Sequence, residues 1–142
     1  MKRLVAIAPI AALAVAGCGS SSNHAASPSV KQTSGVEKVP VRLDEFKIQP
    51  AVTRLKPGKV EFLVKNTGKT DHEFVVIDTR KPAADLLHGK RASEKGSLGE
   101  TGDLKPGQSK RLVLKLPKGH YAVICNDPGH YMAGMHKDLY VV

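Results

Sequence analysis

The residues able to do chemistry in this 142-residue chain crowd into one stretch, Cys125-Asn-Asp-Pro-Gly-His130-Tyr-Met-Ala-Gly-Met135. It sets a thiol, an imidazole and a thioether at five-residue intervals. A thiolate, two imidazoles and a weak thioether form the donor set that selects copper and makes a trigonal site with a long axial sulfur. The stretch supplies three of these four donors, so a second imidazole has to come from a neighbouring strand. His72, which opens the run His72-Glu-Phe-Val-Val-Ile-Asp78, is placed to provide it. Taken singly, Cys125 reads as a small buried hydrophobe and Met135 as a core filler. Only the combination points to a metal. Met132 is a competing thioether, and His136 a neighbouring nitrogen. Zinc fits less well, because a thioether is a poor zinc ligand and structural zinc sites use more thiolates.

Such donors need a rigid frame, and the surrounding pattern predicts one made of strands. Cys125 ends the apolar run Tyr121-Ala-Val-Ile-Cys125, which fixes its sulfur, while Pro128-Gly129 turns the chain sharply enough to return His130 beside it. Gly134 relieves crowding before Met135. Upstream, Val39 to Leu43 reads as a first strand, whose proline favours an edge, and Ala51 to Leu55 as a second. Val60, Phe62 and Val64 alternate along a third, His72 to Asp78 forms a fourth with burial on both faces, and Leu112, Leu114 and Leu116 alternate along a fifth. The run to Cys125 is the sixth, and Asp138 to Val142 the last. Pro82 to His88 predicts one or two helical turns, and Gly89 to Gly102 a surface loop. About seven short strands with little helix predict an all-β fold, a Greek-key β-sandwich or barrel with a long surface loop carrying a short helix. His88 and His120 fall in predicted loop and turn, where exposure is expected.

These residues resemble the cupredoxin, or blue copper, family, and within it the small plastocyanin-, auracyanin- and sulfocyanin-like domains. The likeness runs from about Val36 to Val142: Asn66-Thr67-Gly68 followed by His72-Glu73-Phe74-Val75-Val76 is similar to the family's first-histidine strand, and Cys125 to Met135 to its closing loop. The resemblance implies one copper ion held by His72, Cys125, His130 and, weakly, Met135 rather than Met132. It also implies an apolar surface beside His130 through which electrons leave. Two positions depart from the family: Asp127 stands before Pro128 where an apolar residue is frequent, and Glu73 follows the first histidine where several members have Asn. Either alters hydrogen bonding around the ligands, and neither removes one.

The ends of the chain add a location. Lys2 and Arg3, an apolar run from Leu4 to Ala16 and small residues beyond have the layout of an export leader, too short to span a bilayer comfortably. Val15-Ala16-Gly17-Cys18 resembles the lipobox of bacterial lipoproteins, which implies a lipid-anchored protein acylated at Cys18. The competing reading, a disulfide between Cys18 and Cys125, would tie a residue of the Ser-rich stretch into the core. Residues 18–36 hold hardly a large apolar side chain and read as a tether, with a reach of roughly 20–25 Å. His24 there has no chemical partner in the sequence. The organisation is therefore a leader over 1–17, an acylated cysteine and tether over 18–36, and a cupredoxin domain over 37–142, held on the outer, periplasmic face of a bacterial cytoplasmic membrane.

The net charge is +9, of which Lys2 and Arg3 account for two, leaving +7 without the leader. The cations are scattered rather than blocked and no nucleic-acid motif accompanies them, so nucleic acid is not expected as a partner. Steering toward redox protein partners with acidic docking surfaces fits better. The expected function is that of a monomeric, mononuclear type 1 copper protein, a one-electron carrier between membrane-associated partners and not an enzyme. His-x-His pairs that would announce further copper sites are absent, as is a second cysteine in the loop. The alternative is a protein of copper homeostasis that binds and delivers the metal without redox cycling.

Overall fold

The computed structural model describes residues 35–142. Within them the chain forms eleven strands: β1 (Glu37–Asp44), β2 (Lys47–Pro50), β3 (Arg54–Leu55), β4 (Gly58–Asn66), β5 (Val75–Asp78), β6 (Leu87–His88), β7 (Arg91–Ala92), β8 (Ser97–Glu100), β9 (Ser109–Leu116), β10 (Gly119–Ile124) and β11 (His136–Val141). One 3-10 turn, Ala83–Asp85, lies between β5 and β6. Two sheets face each other in a Greek-key-like sandwich, one in the order β2-β1-β4-β9 and the other β3-β11-β10-β5-β8, with β6 and β7 as a separate hairpin.

Alternation along the strands builds the interior. Val39, Val41 and Leu43 of β1 and Val60, Phe62 and Val64 of β4 point inward against Val76, Tyr121, Val123, Leu139 and Val141 of the other sheet. Leu112 and Leu114 of β9 pack on this core from its edge. A second cluster covers the outer face of β5 and β10, where Val75, Ile77, Ala122 and Ile124 meet Ala83, Leu86, Ala92 and Tyr131. Burial on both faces explains why β5 and β10 read as unbroken apolar runs.

The observed strands differ from the expected ones in several places, among them Leu87–His88, where the end of the expected helical turns is strand β6. Pro40 predicts an edge, yet β1 lies between β2 and β4 and pairs with β4 in parallel. The proline is tolerated because its side of the strand faces β2 just where that strand stops: its carbonyl accepts the Ala51 N–H at 2.9 Å, and no return donor is needed. Between Ala51 and Leu55 only Arg54–Leu55 is strand, and Lys47–Pro50 folds back on β1 instead. The segment Gly89–Gly102, expected to be loop, contributes β7 and the edge strand β8, whose pairing with β5 a Gly-rich sequence conceals. Finally, β5 starts at Val75, so His72 precedes the strand, held by an isolated bridge in which its N–H and C=O both pair with Leu104 (3.1 and 2.8 Å).

Asn66 organises the approach to His72. Fully buried at the end of β4, its amide donates to the carbonyls of Thr70 (2.8 Å) and Leu104 (2.7 Å) and accepts the Gly68 N–H (2.9 Å). Asn66→Ala would take the side-chain partner from the Gly68 N–H and the Thr70 carbonyl, while the Leu104 carbonyl keeps the His72 N–H, and each buried group left unpaired costs about 1–3 kcal/mol. We expect the urea midpoint of unfolding to fall accordingly, with the slope unchanged.

Candidate metal centre

Cys125 follows β10 directly and is fully buried. Its N–H donates to the Met135 carbonyl at 3.0 Å, the His130 N–H to the Asp127 carbonyl at 3.0 Å, and the Met135 N–H back to the His130 carbonyl at 3.1 Å. Gly129, at φ 84°, and Gly134, at φ 101°, take the left-handed conformations these turns need. The loop is thus closed on itself by backbone bonds, with Cys125, His130 and Met135 fixed relative to one another. Asn126 anchors it from below, exchanging two bonds with the Ala92 backbone (2.8 and 3.1 Å) and donating its own N–H to Glu73 Oε1 at 2.8 Å.

The side chains converge. Nδ1 of His72 lies 3.2 Å from Nδ1 of His130, and the latter 3.4 Å from Sγ of Cys125. A carboxylate oxygen of Asp127 sits 3.5 Å from the same sulfur and 3.8 Å from His130 Nδ1. Ligand atoms of these four residues all fall within 4.8 Å of one another. Two imidazole nitrogens and a thiol that face each other from inside the protein share a single space, which is the arrangement a soft, borderline cation fills. The donor set therefore fits copper.

Burial sets the protonation of these groups. It pushes the Cys125 thiol up to about 12, against which the N–H groups of Glu73 and Asp127 pull down. It also lowers His72 below its ordinary value, helped by the neighbouring His130, so the imidazole stays neutral and keeps a lone pair to donate. Burial raises Glu73 to about 7, with Asp127, Glu94 and Glu100 adding to the effect and the Asn126 N–H opposing it. Glu73 spans the site: its backbone N–H points at Sγ of Cys125 (3.4 Å) while its carboxylate holds Asn126.

The outer side of each histidine meets the tip of the β1–β2 hairpin. Nε2 of the fully buried His72 lies 3.6 Å from Oε1 of Glu45 and 3.5 Å from Oγ1 of Thr70. Glu45 is itself held by the backbone N–H groups of Lys69 and Thr70, which keep its carboxyl down at about 2. Gly68 makes this approach possible, since a Cβ there would come within 2.6 Å of Glu45 Oε1 and 2.9 Å of His72 Nε2. The ring of Phe46, 39% exposed, packs edge-on to His130 with centroids 5.0 Å apart.

Of the four residues singled out in the sequence, the structure brings the donor atoms of His72, Cys125 and His130 together. Met135 is fully buried in the same core cluster as Cys125, whereas Met132 is 55% exposed. His136 is half-buried against the Tyr131 ring, and His88 is exposed. The expectation of an exposed His120 is corrected: it is half-buried, with Nδ1 2.8 Å from the Thr79 carbonyl and Nε2 2.8 Å from Asp138, a brace joining β10, β11 and the segment after β5. Cys18, His24, the leader and the tether as far as residue 34 lie outside the described residues. Among the described residues Cys125 is the single cysteine and forms no disulfide. Sequence reasoning missed Glu45, which sits on a hairpin that the strand pattern did not reveal. It flagged Asp127 only as a departure, although a carboxylate two residues from the cysteine was signal enough to place it beside the sulfur.

Comparison with known proteins agrees with this fold. The family model described as "Cupredoxin-like domain" matches residues 9–136. The copper-resistant cuproprotein CopI of Vibrio cholerae is 37% identical over 87 residues, covering 56% of this chain and 48% of that protein, so the chain spans about half the length of the curated relative it matches. Among solved structures, dithionite-reduced auracyanin from Roseiflexus castenholzii superposes with a TM-score of 0.61 at 19% identity, over 76% of this chain and 99% of its own. Auracyanin A, a "blue" copper protein of Chloroflexus aurantiacus, follows at 0.54 and 18%, over 76% and 100%. At these identities the likeness establishes the fold.

Two outcomes test the site. In the metal-free protein the ultraviolet absorbance of the Cys125 thiolate should emerge only as pH nears about 12, because burial favours the neutral thiol; in urea it should emerge near the ordinary value of about 8.5. Glu45→Gln keeps the shape but weakens the acceptor facing His72 Nε2, and should loosen metal binding about 10–100-fold in competition with a chelator.

Proposed function

The chain belongs to the cupredoxin-like family, and from that premise we propose that it holds one copper ion through Nδ1 of His72, Sγ of Cys125, Nδ1 of His130 and the thioether of Met135, and carries single electrons between extracytoplasmic membrane-associated proteins. The observation that carries this reading is the buried convergence of two imidazole nitrogens and one sulfur. Copper bound there supplies a Cu(I)/Cu(II) couple.

The residues of the chain do the rest. Both histidines are aimed inward by contacts on their far sides, and burial keeps His72 neutral, so little side-chain reorientation accompanies a change of charge at the centre. The Glu73 N–H donates toward the sulfur and stabilises negative charge on it. The core cluster excludes water from Cys125 and Met135. His130, only slightly exposed, and the Phe46 ring against it form the apolar rim by which an electron can reach a partner. On this reading the protein acts as a carrier of electrons between partners.

Support for the cellular setting comes from the sequence: the apolar run Leu4–Ala16 and the lipobox-like Val15-Ala16-Gly17-Cys18 favour export, acylation of Cys18 and a tether over 18–36 that leads to a domain over 37–142. Among the described residues no helix is long and apolar enough to cross a membrane. One observation favours a second reading, copper binding for delivery or tolerance without redox cycling: the name of the V. cholerae relative, a copper-resistant cuproprotein.

An absorption spectrum separates the two. A carrier loaded with Cu(II) shows an intense visible thiolate charge-transfer band that ascorbate bleaches and ferricyanide restores; a delivery protein holds Cu(I) and shows no such cycle. Cys125→Ser should abolish the band, and a fully coloured variant would contradict the assignment. Met135→Gln should leave a coloured site with a lower reduction potential, measured by redox titration.

A further inference from the structure

The charge of the described domain is concentrated on one surface. Residues 35–142 carry nineteen Lys and Arg against thirteen Asp and Glu, a net of +6. The outer face of the β2-β1-β4-β9 sheet alone presents seven of those cations. Arg42 and Lys65 stand side by side across the β1–β4 pair, and Lys59 and Lys115 across the β4–β9 pair. Lys38, Lys47 and Arg111 complete the face, all seven being exposed. Only two carboxylates share it, Asp44 and Glu61, and Glu61 is buried and bridged by Lys38 (3.9 Å) and Arg111 (3.5 Å). The face therefore holds +5 of the net +6, and the remainder of the domain is close to neutral. Strand alternation forces this, because the inward partners of these cations are the core residues Val39, Val41, Val60 and Val64.

The face is also amphipathic. A shallow groove crosses it, with Pro40 and Leu63 between Arg42, Lys65 and Arg111, and with Val113, 46% exposed, beyond. Apolar carbon flanked by cations matches an amphiphile with an anionic head, and each Lys or Arg near an anionic bilayer contributes about 1 kcal/mol. The metal centre opens at the end of the strands, beside the Glu45–Phe46 hairpin tip, not through this face. An occupant of the sheet face thus leaves the His130 and Phe46 rim free.

We propose that the outer face of this sheet docks on an anionic phospholipid membrane, laying the strands along the bilayer and turning the His130 end sideways toward a partner. The inference needs neither the copper nor the acyl group. It is tested with the full chain carrying Cys18→Ser, so that no lipid is attached, by sedimentation with vesicles of phosphatidylcholine alone or mixed with phosphatidylglycerol. The expected result is a preference for the mixed vesicles that high salt removes. R42E/K65E/K115E should reduce that preference at least about a hundredfold, taking each cation as roughly fivefold. K81E/K90E/R91E, which removes the same charge from the segment between β5 and β8, should leave most of it. Circular dichroism and the copper band check that both variants fold. Equal losses in the two variants would overturn the proposal by showing net charge alone at work. So would an absence of lipid preference in the parent, including the case where polyglutamate beads retain it and the face belongs to an acidic protein.

Discussion

The end of this sandwich is governed by the cost of burying a thiol and two imidazoles side by side. A buried polar group must find a partner inside the protein, and here the three find one another and the polar groups around them. That constraint accounts for the hydrogen bonds around them. The backbone N–H of Glu73 reaches the sulfur, Glu45 and Thr70 take the far nitrogen of His72, and the loop from Cys125 to Met135 closes on its own carbonyls. Without those supports the donors would have freedom to turn away, and the space between them would collapse.

The support is drawn from distant parts of the chain. The β1–β2 hairpin meets both histidines, presenting a carboxylate to one and a ring to the other. Asn66 holds the loop that delivers His72, and Asn126 joins the cysteine loop to the β6–β7 hairpin. Tyr131, within the loop, donates its hydroxyl to the Ala83 carbonyl and accepts the Leu86 N–H, so the same loop that carries three donors also fastens the covering segment to the sheet. The geometry of the centre and the stability of the surrounding fold therefore rest on shared contacts, and a change in one is felt in the other.

Charge follows a separate logic. The acidic residues Glu73, Glu94 and Glu100 gather near the cysteine loop, while the cations gather on the outer side of the β2-β1-β4-β9 sheet. Strand alternation lets one sheet bury an apolar face and display a basic one without conflict, so the domain can carry a docking surface that does not intrude on its metal centre.

Much of this was determined by local pattern. Alternating Val60, Phe62 and Val64 specify a half-buried strand, the apolar centre of His72 to Asp78 specifies one buried on both faces, and the spacing from Cys125 to His130 and Met135 is that of a loop closing on itself. Short-range periodicity and turn chemistry are written in consecutive residues, and they sufficed for the fold class and for the donor types. What tertiary structure alone decided is which distant groups meet: the parallel pairing that makes Pro40 internal, the edge strand hidden in a Gly-rich segment, and above all Glu45 against His72. Those contacts depend on how sheets pack and chains cross over, and no interval along the sequence encodes a distance through the core.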